Sequence, residues 1–389
     1  MTTLNGPLNK TSIDAATRTE IIESFWPENG SSRYRQDELD WESYFWYYAR
    51  QCHDALIDQG QHVLARTHQD ILDIVHQLED LTPRDAIKES LRSRLPTRHR
   101  PNEDEILDGA IDLAARLHLM VNIAVDNLVI SGQAQLKWSS GILRDFLNHH
   151  FSEPQVLGND GIKLEQMFTA SNLERIAGIQ IKPTDNLADH LRMIDKEDKV
   201  VAIFHHASFL NWQNCKIYPD GLGEETLRTL SLIFPQHDKQ TREWLKRHPE
   251  SYRIDKTLLK CDPLQLDDRQ IEKFHFWHDR LIILKQAFDQ SRPATISQWW
   301  YDRRNGVQWY TFWIAVVVLF LTIFFGMVQS IEGALQVYKA FHPTQGLSSG
   351  NLRRMPGEYV PSRSGYCPSE DFECDFKGVG STEAINGDA

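Results

Sequence analysis

Basic runs, paired cysteines and catalytic signatures are all scarce in this chain of 389 residues. Lys and Arg number 42 against 54 Asp and Glu, a formal net charge of −12. No block of bases stands out, and a general nucleic-acid binder needs one to neutralise phosphates, so the composition argues against that class. Five cysteines are too few for a disulfide scaffold at this length. Cys52, Cys215 and Cys261 are isolated, as reduced thiols of a cytosolic domain are. No Walker A loop, Rossmann glycine triplet, HExxH, kinase set, GxSxG elbow or CxxC pair occurs, which removes many common enzyme classes and points to no cofactor. No repeat with a period of about 20–50 residues suggests a solenoid or propeller.

One absence is local and carries more weight. From Val307 to Ile331 there is no Asp, Glu, Lys or Arg across 25 residues. As a helix this run spans about 37 Å at 1.5 Å per residue, enough to cross a hydrocarbon core roughly 30 Å thick. Four of the eleven tryptophans, Trp299, Trp300, Trp309 and Trp313, cluster at its N-terminal end with Tyr301 and Tyr310, as interfacial aromatics do. A core helix of a soluble domain rarely stays uncharged this long. The apolar character continues through GALQVYKAF to about Phe341. Gly326, Ser330 and Gly333 form a small-residue stripe of the kind that permits close helix–helix contact in lipid.

The opening MTTLNGPLNKTSIDAATRTE has no apolar stretch, so no export signal is expected before the span. Arg292, Arg303 and Arg304 precede the span closely, whereas only Lys339 follows within twenty residues. Positive-inside logic then puts the N-terminal part in the cytosol. Residues 1–306 carry net −9 and residues 332–389 net −3. The tail from 342 to 389 holds four prolines and seven glycines and reads as disordered. Cys367 and Cys374 lie within it and would suit a small disulfide loop in an oxidising compartment.

The expected fold class is mostly α (α+β, helix-rich), a cytosolic domain followed by one transmembrane helix. Residues 1–35 read as a weakly ordered lead with a short helix near Ile21–Trp26. Residues 36–95 read as a helical segment, with helices over Glu38–Gln59 and Val63–Leu78 and a further start at Thr82–Pro83. LPTRHRPNEDE, around Leu95–Glu105, is the linker candidate. Residues 103–290 form the main domain. Its central helix is expected over Glu103–Val129, with Asp112 and Arg116 as an i,i+4 pair. Strands are expected at Ile179–Ile181 and Lys199–Phe204. Asp185 would cap a helix over Leu187–Met193, and the last helix would run from Asp267 to Asp289. Residues 291–306 form a juxtamembrane hinge, amphipathic over Thr295–Arg304; residues 307–331 are the span.

Three constellations contain chemically useful residue types. Glu272 and His275 form an E-x-x-H pair on one face of the last expected helix, near His278 and Asp279; paired copies of that motif build di-metal sites. Only one copy is present, which favours a solvated amphipathic face over metal binding by Glu272, His275 and Asp279. His205 and His206 follow the strand KVVAIF, with Ser208 close by. A strand-end histidine can serve as general base, although no acid or nucleophile stands at a fixed spacing. His149 and His150 end a helix over Ile142–Phe151, where the helix dipole accounts for them.

The stretch SQWWYDRRNGVQWYTFWIAVVVLFLTIFFGMVQSIEGALQVYKA (Ser297–Ala340) resembles the C-terminal signature of a family of filamentous-fungal single-pass membrane proteins. IDLAARLHLM (Ile111–Met120), DNLADHLRM (Asp185–Met193) and DRQIEKFHFWHDRLIILK (Asp268–Lys285) are similar to the same family. The resemblance implies a membrane anchor of open biochemical role and transfers no catalytic or binding residues. The functional expectation is a membrane-anchored interaction or scaffold protein whose partner is the lipid bilayer. The competing class is a tethered enzyme, hydrolase- or transferase-like, using the histidines of the cytosolic domain.

Overall fold

The computed structural model describes residues 3–342 apart from 10–11, 28–33, 58–60, 96–101, 125–133, 153, 159–160, 196–198, 248–252, 292–295 and 303–305. Its helices are α1 (Ala15–Phe25), α2 (Glu42–Ala55), α3 (His68–Glu79), α4 (Arg84–Arg92), α5 (Glu103–Leu119), α6 (Leu143–Phe151), α7 (Ala170–Arg175), α8 (Ala207–Trp212), α9 (Leu222–Ile233), α10 (Lys239–Arg247), α11 (His278–Gln290), α12 (Ile296–Tyr301) and α13 (Gly306–Phe341). Three short strands, β1 (Gln180–Thr184), β2 (Met193–Asp195) and β3 (Val200–Phe204), make a sheet in the order β1-β3-β2. The helix-rich expectation holds at this level. The chain divides into two compact units, residues 1–315 and 316–389.

Helix α5 organises the first unit. Leu107, Ile111, Leu113, Leu117 and Leu119 have no exposed surface, and each contributes about 1.5–3 kcal/mol relative to exposure. Helices α2, α3 and α4 pack against it. Gly109 is required by the closest approach: a Cβ there would lie 2.2 Å from the His62 carbonyl oxygen. Arg84, itself 1% exposed, pairs with Asp112 at 2.8 Å and with Asp108 at 3.0 Å and lies over the Trp138 ring. Asp112 therefore reaches across to α4. Arg116 donates to the Ile123 carbonyl at 3.3 Å.

Helix α5 stops at Leu119, ten residues short of the sequence expectation. Met120 takes a left-handed conformation (φ 51), and the next residues run extended, pairing with Leu136 through Asn122 and Ala124. A run of buried apolar residues does not by itself distinguish helix from extended chain. The freed carbonyls at this buried helix end are not left to water. The Tyr44 hydroxyl donates to the Leu117 carbonyl at 2.9 Å and Tyr218 to Leu119, and the Arg116 carbonyl, already bonded to the Met120 N–H at 2.9 Å, also accepts the Tyr47 hydroxyl at 3.1 Å. Such partners are what a buried helix terminus needs. Burial raises the pKa of all three phenols, so they remain donors.

Other expectations are corrected. Within the lead at 1–35, apolar side chains pack into the core. Leu4, Leu8, Ile21, Ile22, Phe25 and Trp26 are buried, Asp14 caps α1 through the Thr17 N–H, and the Leu8 N–H bonds to the Arg66 carbonyl. The helix expected over 267–289 is two 3₁₀ turns, Asp267–Arg269 and Ile271–Lys273, followed by α11. The Glu225 carboxylate accepts the backbone N–H groups of His275 at 2.7 Å and Trp277 at 2.9 Å, which holds that stretch out of a helix. Asn186, not Asp185, caps the turn at Leu187–Asp189, and Met193 belongs to β2. The linker core at 96–101, helix residues 125–129, the tail with Cys367 and Cys374, and Arg292, Arg303 and Arg304 lie outside the described residues.

The phenol contacts give a direct test of how the fold is held. Tyr44→Phe leaves the buried Leu117 carbonyl without its donor, a loss of about 1–3 kcal/mol. Chemical denaturation in detergent micelles should show a lower midpoint; an unchanged midpoint would contradict this role.

Candidate functional site

Strands β1 and β3 run parallel in the register Gln180↔Val200 through Thr184↔Phe204. The residues just beyond that last pair, Asp185 and His205, therefore emerge side by side at the carboxyl ends of the strands. In α/β sheets this edge is where sites are commonly built. His206 enters with φ −84 and ψ 71 as the chain turns into α8. That turn brings both imidazoles to the same side, stacked at 4.1 Å between centroids. The Nε2 of His206 lies 2.7 Å and that of His205 3.4 Å from Asp185 Oδ1. From α2, Arg50 Nη2 reaches Asp185 Oδ2 at 2.6 Å.

A second layer lies behind His205. The Asp255 N–H donates to His205 Nδ1 at 3.5 Å, which assigns the imidazole proton to Nε2, facing Asp185. The Asp255 carboxylate accepts the Ser208 N–H at 2.6 Å, the Ser208 hydroxyl at 3.0 Å and the Thr257 N–H at 2.8 Å. It thereby closes the start of α8. Ser208, placed near a possible base by sequence, is thus bonded to a carboxylate and to Thr257.

Electrostatics follow the geometry. Burial would raise the Asp185 carboxyl, but the N–H groups of His205 and His206 hold it well below the usual carboxylate range. Burial, with the neighbouring His205, lowers His206 to about 4, so it is neutral at pH 7. Burial pushes Asp255 up to about 6 despite its hydrogen bonds.

Asp185, His205 and His206 offer three donor atoms within 4.8 Å of one another, a two-histidine, one-carboxylate set. However, the Asp255 N–H at His205 Nδ1 keeps that ring's proton on Nε2, where a metal needs a lone pair, and Arg50 already neutralises the carboxylate. The imidazoles are sealed as well: His205 is 4% and His206 1% exposed. The remaining ring nitrogen of His206, Nδ1, is buried without a hydrogen-bond partner. This dyad is built to hold a carboxylate in place, and its free base faces protein.

Glu272 and His275 are exposed, and Asp279 bonds to His278 and to the backbone N–H groups of Val156 and Leu157. Among the described residues, the three-donor groups are Asp185–His205–His206 and Glu79–His118–Cys215; Glu272, His275 and Asp279 form none. His149 and His150 occupy the last turn of α6. Sequence reasoning missed Asp185, Arg50 and Asp255 as members of the histidine site. Only Asp185 carried a usable signal, as an acid directly after a strand. Comparison of the chain with protein-family models, curated proteins and solved structures returns no match.

The Asp185 network predicts a signed pH dependence. A lowered folded pKa means that the unfolded chain takes up the proton first on acidification. The contribution is therefore present above about pH 3.8, the ordinary carboxylate value, and is lost as pH falls toward the lower folded pKa. Asp185→Asn should cost about 3 kcal/mol at pH 7. The gap to wild type should narrow by pH 3 in thermal melts. A gap independent of pH would refute the ionised hub.

Proposed function

We propose that this chain is a single-pass membrane protein that presents its folded, helix-rich domain as an interaction module on the cytosolic face. The observation that carries the reading is α13. It is 36 residues long, with an 18-residue window of mean hydropathy 2.5, none of it buried by the rest of the chain. It is the one helix among the described residues long and apolar enough to cross a membrane. Phe320, Phe324, Phe325, Leu319 and Ile323 are each at least half exposed. A soluble protein would have to leave all of that apolar surface in water, far beyond the few hundred Å² a monomer ordinarily exposes.

The N-terminal approach fits a headgroup layer. The Trp309 indole N–H donates to the Trp300 carbonyl at 3.3 Å, and Trp300 and Trp313 meet edge to face at 4.8 Å. Indoles combine an apolar body with a polar N–H, which suits the interface. The 36 residues exceed what the hydrocarbon core needs by about ten or more, which supports reading Glu332 to Phe341 as lying in or beyond the far interface. The cytosolic side for the domain rests on Arg292, Arg303 and Arg304 outweighing Lys339.

The interaction role is supported by where the titratable groups went. The strand-end histidines are enclosed, while the surface offers clefts of mixed charge. One, of about 720 Å³, is lined by Arg18, Arg35, Asp37, Trp41 and Glu42; another, of about 500 Å³, by Arg228, Asp262, Asp268 and Lys273. Self-association through Gly326, Ser330 and Gly333 belongs to the same proposal. Among the described residues, a Cβ built at either glycine meets nothing within 4 Å beyond its own helix backbone, which leaves room for another helix.

Alkaline carbonate extraction followed by protease treatment of intact vesicles tests both halves. The protein should stay in the pellet, and external protease should remove the domain while leaving the span and tail protected. Release into the supernatant would refute the anchor, and a cleaved tail with a protected domain would reverse the orientation.

A further inference from the structure

The second three-donor group lies away from the strand-end site and joins three separate elements. Glu79 is the last residue of α3, His118 stands in the last turn of α5, and Cys215 follows α8. His118 Nε2 lies 2.6 Å from Glu79 Oε1 and 3.3 Å from Cys215 Sγ. All three donor atoms fall within 4.8 Å of one another. We propose that Glu79, His118 and Cys215 form a zinc site that ties α3, α5 and the segment after α8 together.

The donor chemistry suits that ion. Zinc takes thiolate, imidazole and carboxylate ligands in tetrahedral sites, with bonds of about 2.0–2.3 Å, which sets neighbouring donors roughly 3.3–3.7 Å apart. The nitrogen–sulfur separation of 3.3 Å already meets this. Only the Glu79 oxygen must draw back, and its side chain, 22% exposed, has room to turn. The same partial exposure leaves a fourth position open to water.

The surroundings hold the ligands in place. The His118 ring is stacked on Trp26 at 5.7 Å and meets Phe25 edge-on at 5.5 Å, so its Nε2 direction is set by packing. The Ile217 N–H points to Cys215 Sγ at 3.4 Å and the Lys216 N–H to Glu79 Oε2 at 3.4 Å. The Gln213 side-chain oxygen accepts the Cys215 N–H at 3.1 Å. Backbone N–H groups aimed at a sulfur and a carboxylate stabilise the charges these ligands carry when bound, as outer-shell partners do. The proton balance is simple. Zinc replaces the thiol proton of Cys215, which leaves to solvent, and takes the His118 Nε2 lone pair, that ring's proton standing on Nδ1.

The test uses the full-length protein in detergent, stripped with chelator and titrated with Co²⁺ as a zinc analogue. One equivalent should produce a thiolate-to-cobalt charge-transfer band that Zn²⁺ abolishes. Cys215→Ser should lose the band while its circular dichroism stays that of wild type. His118→Gln and Glu79→Gln should each weaken binding at least about tenfold, and zinc should raise the melting temperature of wild type but not of Cys215→Ser. Three results would overturn the proposal. One is a folded wild-type protein that shows no charge-transfer band. Another is a band that survives in Cys215→Ser, which would assign the thiolate to one of the other four cysteines. The third is a cobalt spectrum without sulfur character, which would place the ion at the strand-end histidines.

Discussion

The end of α5 is the constraint on which the rest of the domain depends. A helix that terminates inside a protein leaves carbonyls that water cannot reach, and each needs a donor. Tyr44 from α2 supplies the Leu117 carbonyl and Tyr218 from the segment before α9 the Leu119 carbonyl, and this fixes where those elements sit. Beyond the helix the Met120 carbonyl accepts the Leu187 N–H at 2.8 Å, and Asn186 Oδ1 accepts the Asn122 N–H at 2.9 Å. The same terminus therefore positions His118 on one side and, through Asn186, the strand end carrying Asp185 on the other. Both clusters of interest hang from one helix end.

Buried charge is handled in the same way throughout. Arg84 lies between Asp108 and Asp112 with Trp138 beneath it, Asp185 among Arg50 and two imidazoles, and Asp255 among three donors. An ion removed from water costs several kcal/mol unless its partners are in place. Each of these groups joins segments far apart in the chain, so the charges act as register marks for a fold whose sheet is only three strands wide. That economy also bears on function. His205 and His206 are hydrogen-bonded to Asp185, and among the described residues the exposed large apolar side chains are concentrated in α13.

What could be read in the sequence was whatever depends on near neighbours. The uncharged run after Val307, the strand at Val200–Phe204 and the helical spacing of Ile111, Leu117 and their companions are local patterns, and α13, β3 and α5 follow them. The site was not legible, because it is made by pairing. Nothing near Asp185 in the sequence indicates that the Thr184–Phe204 register will bring it beside His205, nor that Arg50, 135 positions earlier, will reach it. The spacing of Asp112 and Arg116 gave no sign that tertiary packing would also bring Arg84 to Asp112. The E-x-x-H spacing at Glu272 misled for a related reason: Glu225 captures the backbone there and no helix forms. Spacing has chemical meaning only on the element it presumes.

The central claim is that α13 crosses a bilayer while the domain stays in water. Single cysteines placed along 306–341 in a variant lacking the native cysteines, then labelled with a membrane-impermeant maleimide, test it most directly. The account predicts a shielded window of about twenty residues around Phe320, flanked by accessible positions toward Gly306 and Phe341, with full labelling once detergent is added. Uniform labelling along the whole helix in intact membranes would contradict it.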